Sequence, residues 1–445
     1  MQYSMTEGKP AKSLILFALP MILGNFFQQL YNIIDSIVVG NYIGTDALAA
    51  VGASFSITSL FIAVATGSGI GCSVIISQYF GARQYHSMKT AIYTALTSVS
   101  VLSILLTGIG LILNRGLLRL MGTPKEIMDT ACIYLMIYFW GLFFLFLYNI
   151  LNSVFNALGQ SMLPLLFLLF SSGVNIFLDL LFVIHFQMGV AGAAYATLIA
   201  QGISALLSFL ILMQVLKKFE LEEPPKLFDS TALKKMITVA VPSIIQQSIV
   251  SMGLLLVQSI INRYGASVIA GYTAATKVDS IAIMPMVAVG NAMSTFAAQN
   301  IGAGKAERVK KGWIASLILI ACISLTITLL VFLFGDTFID CFLKTGNDKK
   351  AISTGIRYIR VVSLFYCLMG FMNVTNGILR GSGDMGVFML NTLINFGTRV
   401  LLAYILSIFI AESGVWWSIP IGWSISLVIA LIRFKSGKWK EKVLI

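Results

Sequence analysis

Three carboxylates stand deep inside long apolar runs of this 445-residue chain: Asp35, Asp179 and Asp279. At the middle of a membrane helix a carboxylate costs about 2.5–3.5 kcal/mol, so each should face a cavity or a partner. Asp35 closes a line of polar residues: Asn25, Gln28, Asn32 and Asp35 are three or four apart, which sets them on one helical face. Amides alone would fit a hydrogen-bonding seam between helices, whereas a carboxylate at the end of the line favours a face open to water. In SGVNIFLDLLF, Asp179 shares a face with Asn175, one turn before it. Counted along their helices, Asp35, Asp179 and Thr197 fall in one layer, roughly 7–11 Å below the outer surface at about 1.5 Å per residue. Asp35, Asn175, Asp179 and Thr197 could therefore surround one ion. Two carboxylates, an amide and a hydroxyl are hard oxygen ligands that suit Na⁺. If no metal enters, desolvation and mutual repulsion favour a proton on one carboxyl instead. Either way no resident cofactor is expected, and the coupling ion is Na⁺ or H⁺.

Other polar positions carry weaker signals. Lys277 and Asp279 lie two apart and so point about 200° away from each other on a helix, which rules against a salt bridge between them. Each needs another partner, Arg399 being one candidate for Asp279. A structural ion pair and a substrate-contacting polar site made of Lys277, Asp279 and Arg399 both remain open. Asn149, Asn152 and Asn156 form a second amide line, echoed by Asn373, Asn376 and Arg380, that fits cavity lining or helix packing. Pro20 sits below the polar face of the first span, where it can bend the helix.

The elements that carry these groups must be membrane helices. The chain is 58% hydrophobic and 11% charged, with a mean hydropathy of +0.90. No soluble core needs so much apolar surface, and apolar runs of about 20 residues satisfy their own backbone hydrogen bonds in lipid only as helices. Twelve spans are expected, at about 13–39, 47–79, 87–112, 127–151, 161–185, 190–216, 234–262, 268–299, 312–334, 351–378, 385–410 and 414–434. The net charge of +12 falls mostly on segments on the side of the N-terminus, such as Lys217, Lys218, Lys234, Lys235, Lys305, Arg308, Lys310, Lys311 and Arg433. That bias obeys the positive-inside rule, placing both termini in the cytoplasm of a multi-pass plasma-membrane protein and leaving no basic surface for nucleic acid. The lipid bilayer is then the main partner, and the chain is expected to act as a monomer.

The sequence also repeats. SQYFGARQ at 77–84 matches AQNIGAGK at 298–305, and NYIGTDALAA at 41–50 matches NRYGASVIAG at 262–271, both at an offset of 221 residues. Pro20 in FALP answers Pro242 in VAVP. An all-α protein of two homologous six-helix lobes follows, 1–216 and 234–445, joined by a cytoplasmic linker at 217–233 whose prolines and mixed charge would let the halves move. Two such bundles about an axis along the membrane normal can rock, the usual basis of alternating access. The ion-ligand set is not repeated: Asp35 maps onto Val257, Asn175 onto Arg399 and Asp179 onto Ala403.

Taken together, FALPMILGNFFQQLYNIIDSIVVG, SQYFGARQ, QNIGAGKAERVKKG and GILRGSGDM resemble the multidrug and toxic compound extrusion (MATE) family over nearly the whole chain. The resemblance implies a V-shaped pair of six-helix bundles that exports organic cations or other amphiphiles against Na⁺ or H⁺. It is nearest the branch with a cation site in the N-terminal lobe. That branch's functional carboxylate falls on Asp35, its Asn and Asp on Asn175 and Asp179, and its Thr on Thr197. Drug-contacting amides fall on Gln28 and Asn152, with Asn32 and Asn149 on the same polar lines, and the bending proline falls on Pro20. Other branches carry acids on spans seven and ten. Here VPSIIQQSIVSMG and VVSLFYCLMGFMNVTNGIL hold none, which counts against a coupling site in the second lobe.

Rival functions fit less well. QNIGAGKA lacks the first Gly and final hydroxyl of a phosphate-binding loop, and the spans hold no nucleophile with a base, so neither an ATP-driven pump nor an enzyme is expected. The main alternative is a lipid-linked oligosaccharide flippase of similar fold, which would need several cavity-lining basic residues for a pyrophosphate.

Overall fold

The computed structural model describes residues 4–343 and 348–445, and among them the regular elements are all helical. They are α1 (Pro10–Tyr42), α2 (Thr45–Gly81), α3 (Tyr85–Leu120), α4 (Lys125–Ala157), α5 (Met162–Asp179), α6 (Gly189–Lys217), α7 (Ser230–Ile261), α8 (Ala266–Gly302), α9 (Ala306–Phe342), α10 (Lys349–Ser363), α11 (Tyr366–Ser382), α12 (Met385–Ile410) and α13 (Ser413–Lys435). Among the described residues eleven helices are long and apolar enough to cross a membrane, and α10 with α11 makes a twelfth span if the pair is taken as one.

The tenth span differs from the continuous run expected at 351–378, because α10 and α11 meet at a 51° bend. α10 is amphipathic, and its buried face includes Ala351, Thr354, Gly355, Tyr358, Ile359 and Val362. Its other face is charged: Arg357 pairs with Glu412 at 3.2 Å and Arg360 with Asp336 at 3.2 Å. Asp348 starts α10 by accepting from the Lys350 and Ala351 amides, both at 3.1 Å.

The contacts divide the chain into two units. The first runs Leu23–Ile244; the second combines Ser4–Ile22 with Ile245–Ile445. Both α1 and α7 thus change unit two residues beyond their internal prolines, Pro20 and Pro242. The start of α7 packs on α2, where a side chain added at Gly67 would strike Ile244 and one at Gly71 would strike Ala240.

In the second unit the QNIGAGKAER stretch holds the chain before α1. Gln299 Oε1 accepts from the Met5 amide at 3.1 Å, Asn300 Nδ2 donates to the Met5 carbonyl at 3.0 Å, and Lys305 Nζ donates to the Thr6 carbonyl at 3.0 Å. Arg308 donates to the carbonyls of Met5, Glu7 and Gly8. In the sequence these residues stood as half of a repeat, as part of the family resemblance and, at Lys305 and Arg308, as inside positive charge.

The stretch between α6 and α7, expected to let the halves move, is fastened within the first unit. Phe219 packs between Phe80 and Tyr85, with ring centroids 6.1 and 4.9 Å away. The Lys226 and Asp229 amides donate to Thr90 Oγ1 and Thr94 Oγ1 at 3.2 and 3.0 Å. Asp229 then caps α7, accepting from the Thr231 and Ala232 amides at 2.7 and 3.0 Å. The bond from Ala232, with that from Thr231, holds its carboxyl below the usual carboxylate range.

Packing follows bilayer rules. α9 buries Gly312, Ser316, Ile320, Ser324 and Gly335 while exposing Ile314, Ile318, Leu325, Leu329 and Leu333. Lipid accepts the large side chains, and small ones let helices approach. α8 and α11 meet backbone to backbone: a side chain at Gly377 would run into the Gly290 carbonyl, and one at Gly381 into the Ser294 carbonyl.

Candidate cation site and cavities

The residues picked out as ion ligands come together in the first unit. The Asp35 and Asp179 carboxyl groups, from α1 and α5, lie within hydrogen-bonding reach of each other. In the amide orientation that satisfies its neighbours, Asn175 Nδ2 donates to Asp179 Oδ2 at 2.8 Å. Its oxygen then accepts from Thr197 Oγ1 at 3.3 Å and from the Thr197 amide at 3.1 Å; the reverse orientation would set the Asn175 oxygen against a carboxylate oxygen. Asn175 and Asp179 are 2% and 1% exposed, so water does little to solvate them. Asp35 Oδ1 and Asp179 Oδ1 are both buried without a hydrogen-bond partner, and such an orphaned charged oxygen is costly unless a cation completes it.

Local structure explains how α5 presents its acid. Directly after Asp179 the helix widens into a π-helical segment, Leu180–His185, a distortion that often marks functional positions. The segment is anchored by Val183, which packs with Ala47, Val190 and Ala193, and Tyr134 lies against that cluster.

Sequence reasoning passed over Tyr31. Its hydroxyl bonds the Thr197 side chain, and it stands one turn before Asp35, so helical spacing could have found it. Gln201, one turn after Thr197, was missed in the same way. A cavity of about 50 Å³, room for a few waters, is lined by Gln28, Tyr31, Tyr148, Asn175, Thr197 and Gln201 among others.

The four candidate substrate residues lie on α1 and α4. Gln28 lines that cavity, while Asn32 lies exposed on α1. Asn149 donates to its own helix at the Leu145 carbonyl, 2.8 Å away, and Asn152 bonds Tyr148. Pro20 is buried in the second unit, with α1 unbroken through it.

The second unit holds a larger cavity of about 400 Å³. Asp279 and Arg399 both line it, without an ion pair between them. Asp279 accepts instead from the Tyr366 hydroxyl at 2.7 Å and the Tyr358 hydroxyl at 3.4 Å. Tyr358 is fixed by edge contacts to Tyr272 and Trp416, at 5.4 and 5.2 Å between ring centroids. Lys277 sits over the Phe342 ring at 5.8 Å and is not among the lining residues. Arg380, read from sequence only as an echo of Asn156, does line the cavity.

Two units of apolar helices, one enclosing paired acids and the other a polar cavity, define a multi-pass membrane transporter. The MatE family model matches residues 20–181 and 242–405, and the chain belongs to that family. It is 34% identical over 440 residues to the probable multidrug resistance protein YpnP of Bacillus subtilis, covering 98% of both chains. It is 22% identical to the multidrug export protein MepA of Staphylococcus aureus, over 97% of this chain and 94% of the relative. Among solved structures, an outward-facing multidrug resistance MATE family transporter of the MOP superfamily superimposes with a TM-score of 0.91 at 25% identity, covering 99% of both chains. A MATE transporter in complex with MaL6 gives 0.92 at 25% identity, over 98% of this chain and 99% of that one.

Proposed function

We propose that this chain is a cation-coupled multidrug exporter of the cell membrane, both termini cytoplasmic, that moves amphiphilic or cationic compounds outward against an inward flow of Na⁺ or H⁺. The observation that carries this reading is the contact between Asp35 and Asp179, with one orphaned oxygen on each. Two carboxylates in contact need one positive charge between them, because in a poorly solvated setting their repulsion is otherwise unopposed.

The incoming cation is cargo. Asp35, Asp179, the Asn175 amide and the Thr197 hydroxyl supply its oxygens, and Tyr31 orients Thr197. Asp35 comes from α1 and the other three from α5 and α6. Cation uptake therefore draws the outer part of α1 toward α5, and release lets it go. α1 is the helix that changes unit just past Pro20, so a movement of its outer part can be passed along the chain. Gln28, on the same helix face and in the neighbouring cavity, links the cation's position to that of a bound amphiphile. The two moving bodies are the units Leu23–Ile244 and Ser4–Ile22 with Ile245–Ile445, so the first part of α1 travels with the second body instead of with the expected lobe 1–216, and the start of α7 with the first instead of with 234–445.

The test is transport in sealed proteoliposomes carrying an imposed Na⁺ gradient or an imposed pH gradient, one at a time. Uphill accumulation of a fluorescent organic cation under one of them is the expected result. Accumulation under neither gradient refutes the proposal.

A further inference from the structure

The second unit carries a feature that cation coupling does not use. Arg380, near the end of α11, is partly buried and lines the 400 Å³ cavity. Its Nη2 donates to Asn291 Oδ1 at 2.7 Å and its Nε to Ser294 Oγ at 3.1 Å, and the guanidinium lies 5.9 Å from the Phe388 ring. All three partners are neutral. A guanidinium has five N–H donors, and among the described residues no carboxylate pairs with this one.

The cavity's one acid is far away. Asp279 precedes Asn291 by twelve residues on α8, about 18 Å along the axis. It is already bonded by Tyr358 and Tyr366 and lies in the field of Arg399. This end of the cavity is thus a positive charge with no carboxylate counter-ion among the described residues, and a partly buried charge left unpaired is costly. Between the two ends the wall is apolar and adaptable, with Met369, Met372, Phe396 and Trp423.

We propose that this cavity binds an amphiphile bearing one anionic group, a carboxylate, sulfonate or phosphate, which seats on Arg380 while its apolar body lies against Phe388, Met372 and Trp423. Arg380 is the recognition residue because its free N–H groups can grip two oxygens of such a group at once. The site lies in the other unit from the acid pair and selects the opposite charge, so it does not depend on the coupling mechanism.

The test uses the full-length protein in phosphatidylcholine nanodiscs and two probes of equal ring size and opposite charge: 2-naphthalenesulfonate and naphthylmethyl-trimethylammonium. Isothermal titration should show saturable sulfonate binding at least about tenfold tighter than ammonium binding. Arg380→Gln should weaken it by about tenfold or more, Arg380→Lys should weaken it less because the charge stays while the two-oxygen grip is lost, and Lys277→Ala, outside both cavities, should leave it unchanged. Should Arg380→Gln fail to fold, Asn291→Asp replaces it: a built-in counter-ion for Arg380 should abolish sulfonate binding. Replacing part of the phosphatidylcholine with phosphatidylglycerol identifies the source of the anion. Competition with the sulfonate marks a lipid headgroup, no competition marks a soluble anion, and both support the site. Equal affinity for the two probes, or full sulfonate binding by Arg380→Gln or by Asn291→Asp, overturns it.

Discussion

Replacing Asp35 by Asn changes the charge of the acid pair while keeping its shape. The new amide can still donate to Asp179, much as a proton shared between the two carboxyls would, so the variant should fold and resemble a permanently loaded site. What is lost is one negative charge beside the cation. A unit charge at 4 Å contributes about 4 kcal/mol at an effective dielectric constant near 20, nearly a thousandfold in affinity at about 1.4 kcal/mol per decade. Relief from desolvating a second carboxylate offsets part of this, so cation affinity should fall by at least about a hundredfold. The assay pairs gradient-driven export from proteoliposomes with equilibrium binding of the same organic cation to purified protein. Export should drop to background while binding persists. Wild-type export by Asp35→Asn, with normal cation dependence, would show that the contact with Asp179 is structural and refute the coupling argument.

Asp179→Asn should lose export in the same assay, and Lys277→Ala should leave it near normal because Lys277 lies outside both cavities. Tyr31→Phe removes the hydroxyl bonded to Thr197; at about 1 kcal/mol for such a bond, the half-saturating cation concentration should rise several-fold with the maximal rate preserved. Gly377→Val pushes a side chain into the Gly290 carbonyl and should destabilise the protein by about 1–3 kcal/mol. Gly386→Ala, with nothing within 4 Å, serves as the neutral control in thermal unfolding. Asp229→Ala removes the cap of α7 at a cost of about 1 kcal/mol. Because the Asp229 carboxyl is held below its unfolded value, its contribution is present above that value and disappears as pH falls through the folded one. Stability of wild type and variant should therefore converge in acid, and a gap that persists there counts against the cap.

The apolar runs alone specified helices and their approximate limits, because lipid leaves a backbone no other way to satisfy its hydrogen bonds. The line Gln28, Asn32, Asp35 and the pair Asn175, Asp179 were legible for a similar reason: helical periodicity converts spacing into a shared face, and charge in hydrocarbon is too costly to be incidental. The 221-residue offset exposed the duplication because both halves keep the same span lengths. Periodicity says nothing about what lies opposite a face. Tertiary structure decided that Asp35 meets Asp179 and that Asp279 is taken by two tyrosines rather than by Arg399. It also decided that Arg380 looks into a cavity whose acid, Asp279, lies about twelve residues along α8 from its partner Asn291, that the 217–233 stretch is fastened to α3, and that the tenth span is bent. Each of these depends on contacts between residues distant in sequence, and such contacts are set by how helices pack against one another, a property that no single helix carries.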